Sequence, residues 1–221
     1  MSYVENITRD GETTTVRIGD ASALATLRRG KRLGATVTAN PDGTITIVRT
    51  ALHLAGEDVT ETQVTVTLTP DAKPAHLTKT QYEDLQRIRL AGDRARRLPD
   101  GRIAAAFWRI PQTAAKRLYD RSFVVVRTDD GMEVSIAGLL AMAAYEHPAR
   151  TTRPRGWHSP AEAVINTPRV QRMHPYQRND RTSAAVCTCG FRRTLDERAY
   201  AVVAKNGHLG EVLTAALTAA A

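Results

Sequence analysis

The sequence predicts an α+β protein made of small units instead of one large core. Two observations carry this prediction: strand-like alternation on both sides of Asn40-Pro-Asp-Gly43, and an alternation of short helices and strands between Ile110 and Ala137. With 42% hydrophobic and 24% charged residues among 221, the chain can bury a core. We predict four segments: an N-terminal α+β unit at 1–70, a central unit at 77–147, a basic connector rich in Pro and Arg at 148–181, and a C-terminal ββα unit at 182–221.

The N-terminal unit is predicted to begin with a loose polar segment, because the first dozen residues show no periodicity. Residues 13–18 alternate weakly and predict a strand. Asp20 is a residue type favoured at helix N-caps, and Gly30 is typical of the residue that follows a helix. We therefore predict a helix at 21–29 between them.

A hairpin and a further strand complete this unit. Residues 35–39 and 44–48 alternate on either side of the Asn-Pro-Asp-Gly turn, and residues 63–69 predict another strand. The segment contains no cluster of potential catalytic side chains. We predict that it provides a surface for a protein partner or for homo-oligomerisation.

The central unit opens with a capped helix. Thr78 with Gln81, or Thr80 with Glu83, has the capping-box spacing for a helix that runs to about Ala91. Gly92 is predicted to end it. A turn at 98–101 and one short strand at 102–108 are predicted to follow.

A second short helix lies at the centre of the sequence. Pro111 suits the first position of a helix, and Ile110, Ala114 and Leu118 form a narrow apolar stripe below a wide polar and cationic face. The helix is followed by a strand at 123–127, an Asp-Asp-Gly turn, and a return strand. Ser135 is predicted to cap a closing helix that reaches about Tyr145.

The order of these elements resembles a winged helix-turn-helix domain over residues 77–147. LTKTQYEDLQRI is similar to the opening helix, IPQTAAKRLYDRSF to the recognition helix and the chain leaving it, VVVRTDDGMEVS to the wing, and IAGLLAMAA to the closing helix. Such domains usually have another helix before the recognition helix, where LPDGRIAAAFWR instead predicts a turn and a strand. The wing tip is also acidic, with Asp129, Asp130 and Glu133. The resemblance implies nucleic-acid binding, with DNA as the expected partner.

Charge favours the same class of partner. The chain carries a net charge of +8, and between Arg87 and Arg127 it has eleven Lys or Arg but only three Asp or Glu. Side chains at the start of the central helix are candidates for base contacts, and the surrounding cations for phosphate contacts. The predicted nucleic-acid-binding residues are Arg94, Arg96, Arg97, Arg109, Gln112, Thr113, Lys116, Arg117 and Arg121.

The C-terminal unit contains a candidate metal site. Two short predicted strands flank Cys187-Thr-Cys189-Gly, and a helix follows that carries His208. Tetrahedral zinc takes four Cys or His ligands, and His174 is the candidate for the fourth. The alternative is a pair of packed thiols in a turn, since Cys-x-Cys is tighter than the usual zinc-knuckle spacing. A disulfide between residues so close would be strained.

Other function classes find no support in the sequence. Serine-histidine-aspartate, paired-carboxylate, phosphate-loop and metal-hydrolase patterns are missing, so we do not expect an enzyme. The N-terminal residues have no apolar signal core, and no run is long enough for a membrane span, so we expect a cytoplasmic protein without membrane contact. The excess of Arg over Lys suggests a high-GC genome, such as an actinobacterium or its phage or plasmid. We predict a DNA-binding regulatory or accessory protein, or alternatively a non-catalytic assembly module.

Overall fold

The fold is known from a computed structural model, which describes residues 1–55, 58–72, 75–148, 150–152, 183–195 and 198–220. It combines helices with antiparallel sheets, so the predicted α+β class is confirmed. The chain forms two compact units, residues 1–146 with 210–221, and residues 147–209. The boundary predicted between residues 70 and 77 lies inside the first unit. Most of the predicted connector lies outside the described residues.

A five-stranded antiparallel sheet forms the N-terminal part of the first unit, in the order β2-β1-β5-β4-β3. One helix, α1, follows the first hairpin. Apolar side chains of α1 and of one sheet face, such as Leu27, Ile45 and Leu68, are buried, while threonines line much of the other face. The elements are β1 (Ser2–Arg9), β2 (Glu12–Gly19), α1 (Asp20–Arg32), β3 (Thr36–Ala39), β4 (Ile45–Ala55) and β5 (Asp58–Pro70).

The loose segment predicted at the N-terminus is wrong. These residues form β1, which pairs with β2 on one side and with β5 on the other. The hairpin turn between β1 and β2 is Asp10-Gly11, and both residues have positive φ, 53° and 82°. Asp-Gly is a favoured sequence for such a two-residue turn. The strand β1 is therefore held in place by this turn and by pairing on both of its edges, and not by an apolar periodicity in its sequence.

Two predictions about α1 are also wrong. Asp20 is the first residue of the helix and not its N-cap, and its carboxylate accepts a hydrogen bond of 2.9 Å from the Met1 ammonium. Gly30 lies inside the helix, which continues to Arg32. A Cβ at Gly30 would come within 2.6 Å of Ile47 Cγ2 on β4. Gly30 therefore serves the close packing of α1 on the sheet, and not the end of the helix.

The next helix, α2 (Lys79–Ala91), begins as predicted. The Thr78 hydroxyl accepts from the Gln81 N–H, and the Gln81 side chain accepts from the Thr78 N–H, at 3.3 and 3.0 Å. Gly92 follows the helix with φ 52° and begins a single 3-10 turn, Gly92–Arg94.

A small antiparallel sheet stands between this helix and the next, in the order β6-β7-β8. Its strands are β6 (Ala95–Arg97), β7 (Ile103–Ala105) and β8 (Trp108–Ile110). The single strand predicted at 102–108 is therefore wrong. The chain reverses at Ala106 and Phe107, where Ala106 has a φ of 52°. A run of apolar residues does not predict a turn with positive φ.

The remaining elements of the first unit follow the predicted order. They are α3 (Gln112–Asp120), β9 (Val124–Val126), β10 (Met132–Val134) and α4 (Ile136–Glu146). Pro111 precedes α3 with an extended ψ of 152°, so its predicted place inside the first turn is wrong by one residue. The Ser135 hydroxyl caps α4 by accepting from the Gly138 N–H at 3.0 Å.

The second unit contains a three-stranded antiparallel sheet in the order β11-β12-β13. Its strands are β11 (Arg150–Thr152), β12 (Ser183–Val186) and β13 (Arg192–Leu195). The helix α5 (Arg198–Ala220) follows, and its residues from Gly210 onward belong to the first unit. Among the helices in the described part of the chain, none is long and apolar enough to cross a membrane.

Candidate functional site

Every residue predicted to contact nucleic acid is exposed, and all of them belong to the first unit. They lie on the 3-10 turn, on β6 and β8, along α3 and at its end. The apolar side of α3 is buried at Leu118, which belongs to the predicted stripe, and at the neighbouring position Ala115. The helix is therefore anchored by a narrow apolar side and presents its cationic side outward.

Two of the arginines lie on one face of the small sheet. Arg96 pairs in register with Ala104, and Ala104 pairs with Arg109. Residues directly opposite one another in antiparallel strands point to the same face, with neighbouring Cβ atoms about 5 Å apart. Arg96 and Arg109 are exposed, whereas Ile103 and Ile110 on the opposite face are fully buried. The sheet therefore has an apolar inner face and a cationic outer face.

Several of these arginines have contact partners that carry no charge and so do not neutralise them. Arg96 donates to the Asp129 carbonyl oxygen and Arg121 to the His76 carbonyl oxygen, both at 3.1 Å, and both acceptors are neutral. Arg97 lies over the Tyr119 ring at 5.8 Å. Lys116 differs, because it forms an ion pair of 2.8 Å with Asp120. The positive potential thus rests mainly on the arginines.

The turn between β9 and β10 has a different electrostatic character. Arg127 forms ion pairs with Asp93, Asp129 and Glu133 at 2.8 to 3.0 Å. Hydrogen bonds from Arg127 lower the pKa of Asp129, so that carboxylate stays charged at neutral pH. Arg127 thus pairs with three carboxylates, of which Glu133 also pairs with Arg28 at 2.7 Å. This turn is a poor surface for a polyanion.

The second unit brings two histidines and two cysteines together. The possible ligand atoms of His147, Cys187, Cys189 and His208 all lie within 4.8 Å of one another. Cys189 Sγ is 3.3 Å from His208 Nε2, and Cys187 Sγ is 4.0 Å from His147 Nδ1. Ligand atoms around a tetrahedral zinc ion lie roughly 3.3 to 3.8 Å apart, given its bond lengths. The longest separations in the cluster, up to 4.8 Å, would have to shorten by about 1 Å for these four side chains to hold such an ion.

Local structure explains how these side chains converge. Cys187 and Cys189 lie in the turn between β12 and β13, where the Gly190 N–H donates to the Cys187 carbonyl oxygen and Gly190 has φ 94°. The Cys187 N–H donates to the Phe191 carbonyl oxygen at 2.9 Å. The His208 ring stacks on Phe191 with centroids 4.2 Å apart and planes 1° from parallel. Phe191 thereby orients a candidate ligand from α5.

The environment also favours the metal-binding form of one thiol. Hydrogen bonds lower the pKa of Cys189 to about 6; the largest contribution comes from the backbone of Phe191, followed by His147 and Cys187. A thiolate is the form that binds metal. The two cysteines are not joined in a disulfide. A divalent cation would meet at least one preformed anion at this position.

Three of the four predicted metal ligands meet in the cluster, namely Cys187, Cys189 and His208. His174 lies outside the described residues. His147, which the sequence analysis did not select, occupies the fourth position. It comes directly after α4 and is 40 residues from Cys187, so no short spacing pattern links the two.

Two exposed aromatic residues are not among the predicted contact residues. The sequence predicts Phe107 and Trp108 within one strand, yet Phe107 is 88% exposed and Trp108 is 41% exposed. The available signal was their position between the alanines at 104–106 and Arg109. Comparisons with protein-family models, with curated proteins and with solved structures gave no match to this chain.

Proposed function

We propose that this protein binds nucleic acid, with DNA as the expected form, and acts as a regulatory or accessory factor. The observation that carries the proposal is the cationic outer face of the β6-β7-β8 sheet, where Arg96 and Arg109 flank Ala104 in register. The helix α3 follows this sheet directly in the sequence and adds the exposed residues Gln112, Thr113 and Arg117. Phosphate contacts from such arginines supply affinity that does not depend on base sequence.

The winged-helix resemblance is retained as part of this proposal. In its support, α2, α3, the β9-β10 hairpin and α4 follow one another in the expected order. The small sheet stands where such domains have their second helix. We propose that this sheet and α3 make the contacts, and that the acidic β9-β10 turn stays away from the phosphates.

Charge reversal at Arg96 or Arg109 is expected to weaken duplex DNA binding about tenfold, the equivalent of losing one charged contact of roughly 1.4 kcal/mol. Fluorescence anisotropy with a labelled random duplex at low and high salt would measure it. Arg17→Glu is the matched control, because Arg17 is exposed on β2 and its reversal changes net charge equally. Equal losses for Arg17→Glu and Arg96→Glu would show that only net charge matters. Absence of binding to both duplex and single-stranded DNA at low salt would contradict the proposal.

We further propose that the His147-Cys187-Cys189-His208 cluster holds a structural zinc ion. Two thiolates with two imidazoles form a ligand set that zinc prefers, and four protein ligands leave no open position for catalysis. Elemental analysis of protein purified without chelators is expected to find a single zinc ion per chain. Protein that folds and is free of metal would contradict it.

A protein-interaction module is the second candidate, and one observation favours it. Seven of the eight residues of β2 are exposed, and β2 is an edge strand of the five-stranded sheet. An unblocked edge can pair with a strand of another chain, and a charged residue discourages such pairing. If a second copy pairs there, Val16→Lys, on β2, should shift the mass measured by light scattering from dimer to monomer. A wild-type monomer would remove this candidate.

A further inference from the structure

We infer that the β7-β8 hairpin tip is a stacking site for unpaired bases, so that the protein engages single-stranded nucleic acid there. The inference rests on the proposed nucleic-acid binding and specifies the form of the ligand. Its central observation is the pair of exposed rings, Phe107 and Trp108, whose centroids are 6.4 Å apart with planes at 76°.

The backbone holds these rings outward. Ala105 and Trp108 pair across the hairpin, which leaves Ala106 and Phe107 as the two turn residues. Ala106 has φ 52°, a conformation that costs free energy for a residue other than glycine. The turn therefore keeps Phe107 almost fully in solvent, where the ring gains nothing from burial within the described structure. An exposed aromatic pair in this position is typical of a contact surface.

A cation lies beside one of the two rings. The Arg94 guanidinium lies 6.0 Å from the centre of the Phe107 ring. Arg109 follows Trp108 on β8 but points to the opposite face of the strand, because successive side chains of a strand alternate between faces. The nearby carboxylates already have partners, since Asp93 pairs with Arg127 and Asp100 with Arg102. Aromatic faces bordered by guanidinium groups are the combination that binds single strands, because bases stack on the rings while phosphates meet the cations.

A single strand fits this surface better than a duplex. In a duplex the faces of each base are covered by neighbouring bases, so a ring reaches them only after unstacking. A single strand presents free base faces at lower cost. A protein ligand with acidic side chains would use the arginines but would have no stacking partner equal to a base.

The test uses Trp108 as its own reporter. The chain has two tryptophans, and the full-length variant Trp157→Phe leaves Trp108 as the only one. A single-stranded deoxyoligonucleotide of mixed sequence is expected to quench Trp108 fluorescence, whereas a duplex of the same sequence should quench it far less. Phe107→Ala is expected to weaken single-strand binding roughly 5- to 100-fold, since base stacking on an aromatic ring has that effect, and to change duplex binding less than about twofold.

The control is Tyr200→Ala, which removes an aromatic side chain that is 60% exposed on α5. It should leave single-strand affinity unchanged, and a circular dichroism melt should show that Phe107→Ala is folded. Single-strand binding without Trp108 quenching and without a loss in Phe107→Ala would overturn the inference while leaving the proposed function standing. Absence of binding to both forms would overturn both. Equal Trp108 quenching by polyglutamate, with the same loss in Phe107→Ala, would instead identify a docking surface for an acidic protein.

Discussion

Cys189→Ser is expected to release the proposed zinc ion and to unfold the second unit while the first unit stays folded. Among the residues of the second unit whose burial is described, the buried apolar side chains are Ala184, Ala185 and Ala201. Three alanines contribute little buried apolar area, so this described part of the unit gains little stability from apolar burial. Structural zinc contributes about 10 to 16 kcal/mol of apparent binding free energy in zinc-finger peptides. The ligands are therefore expected to matter more for this unit than any apolar side chain described in it.

Hydrogen–deuterium exchange would locate the effect. Peptides covering residues 183–195 should lose protection in Cys189→Ser and after addition of a chelator, whereas peptides covering α2 should keep theirs. Elemental analysis of the same samples would report the zinc content. Unchanged protection after complete zinc removal would show that the cluster is not a structural centre.

Histidine variants would identify the fourth ligand. His147→Ala is expected to reduce zinc content and protection as Cys189→Ser does, because His147 Nδ1 faces Cys187 Sγ. His174→Ala and His76→Ala are expected to leave both unchanged, and His76 serves as the exposed histidine control in the first unit. Loss of zinc in His174→Ala but not in His147→Ala would assign the position to His174, as the sequence analysis predicted.

Gly138→Ala is expected to destabilise the first unit by about 3 kcal/mol or more, because it forces extra volume into a packed core. A Cβ on Gly138 would lie 2.3 Å from the Phe123 carbonyl oxygen and 2.7 Å from Val134 Cγ1. The carbonyl cannot move freely, since it accepts a hydrogen bond of 3.0 Å from the Ser135 N–H. The helix α4 would have to shift away from β9, which would disturb its Ser135 cap.

Gly207→Ala is the matched control, because Gly207 is also a helix residue but a Cβ there would meet nothing within 4 Å. It is expected to stabilise its helix by roughly 0.5 to 1 kcal/mol, the usual gain from glycine to alanine. Urea denaturation followed by circular dichroism would compare the two variants. A Gly138→Ala protein as stable as wild type would mean that α4 does not approach Phe123 so closely.

Local chemistry accounts for the elements that were predicted correctly. The Thr78-Gln81 capping box, the Ser135 cap and the hairpin around Asn40-Gly43 depend on side chains within a few residues of one another. The Asp10-Gly11 turn was equally visible in the sequence, and the error there came from relying on apolar periodicity in a strand rich in polar residues. Alternation is weak in such a strand because pairing on both edges, not one buried face, holds β1 in place.

The sequence by itself determined the α+β class, most helix and strand positions, and three of the residues that meet in the candidate metal cluster. Only the tertiary structure decided that Gly30 packs against Ile47, that Phe107 stands in solvent, and that His147 joins Cys187. The physical reason is distance along the chain. Turns and caps are set by neighbouring residues, whereas packing, exposure and ligand geometry depend on groups that meet only when the chain has folded.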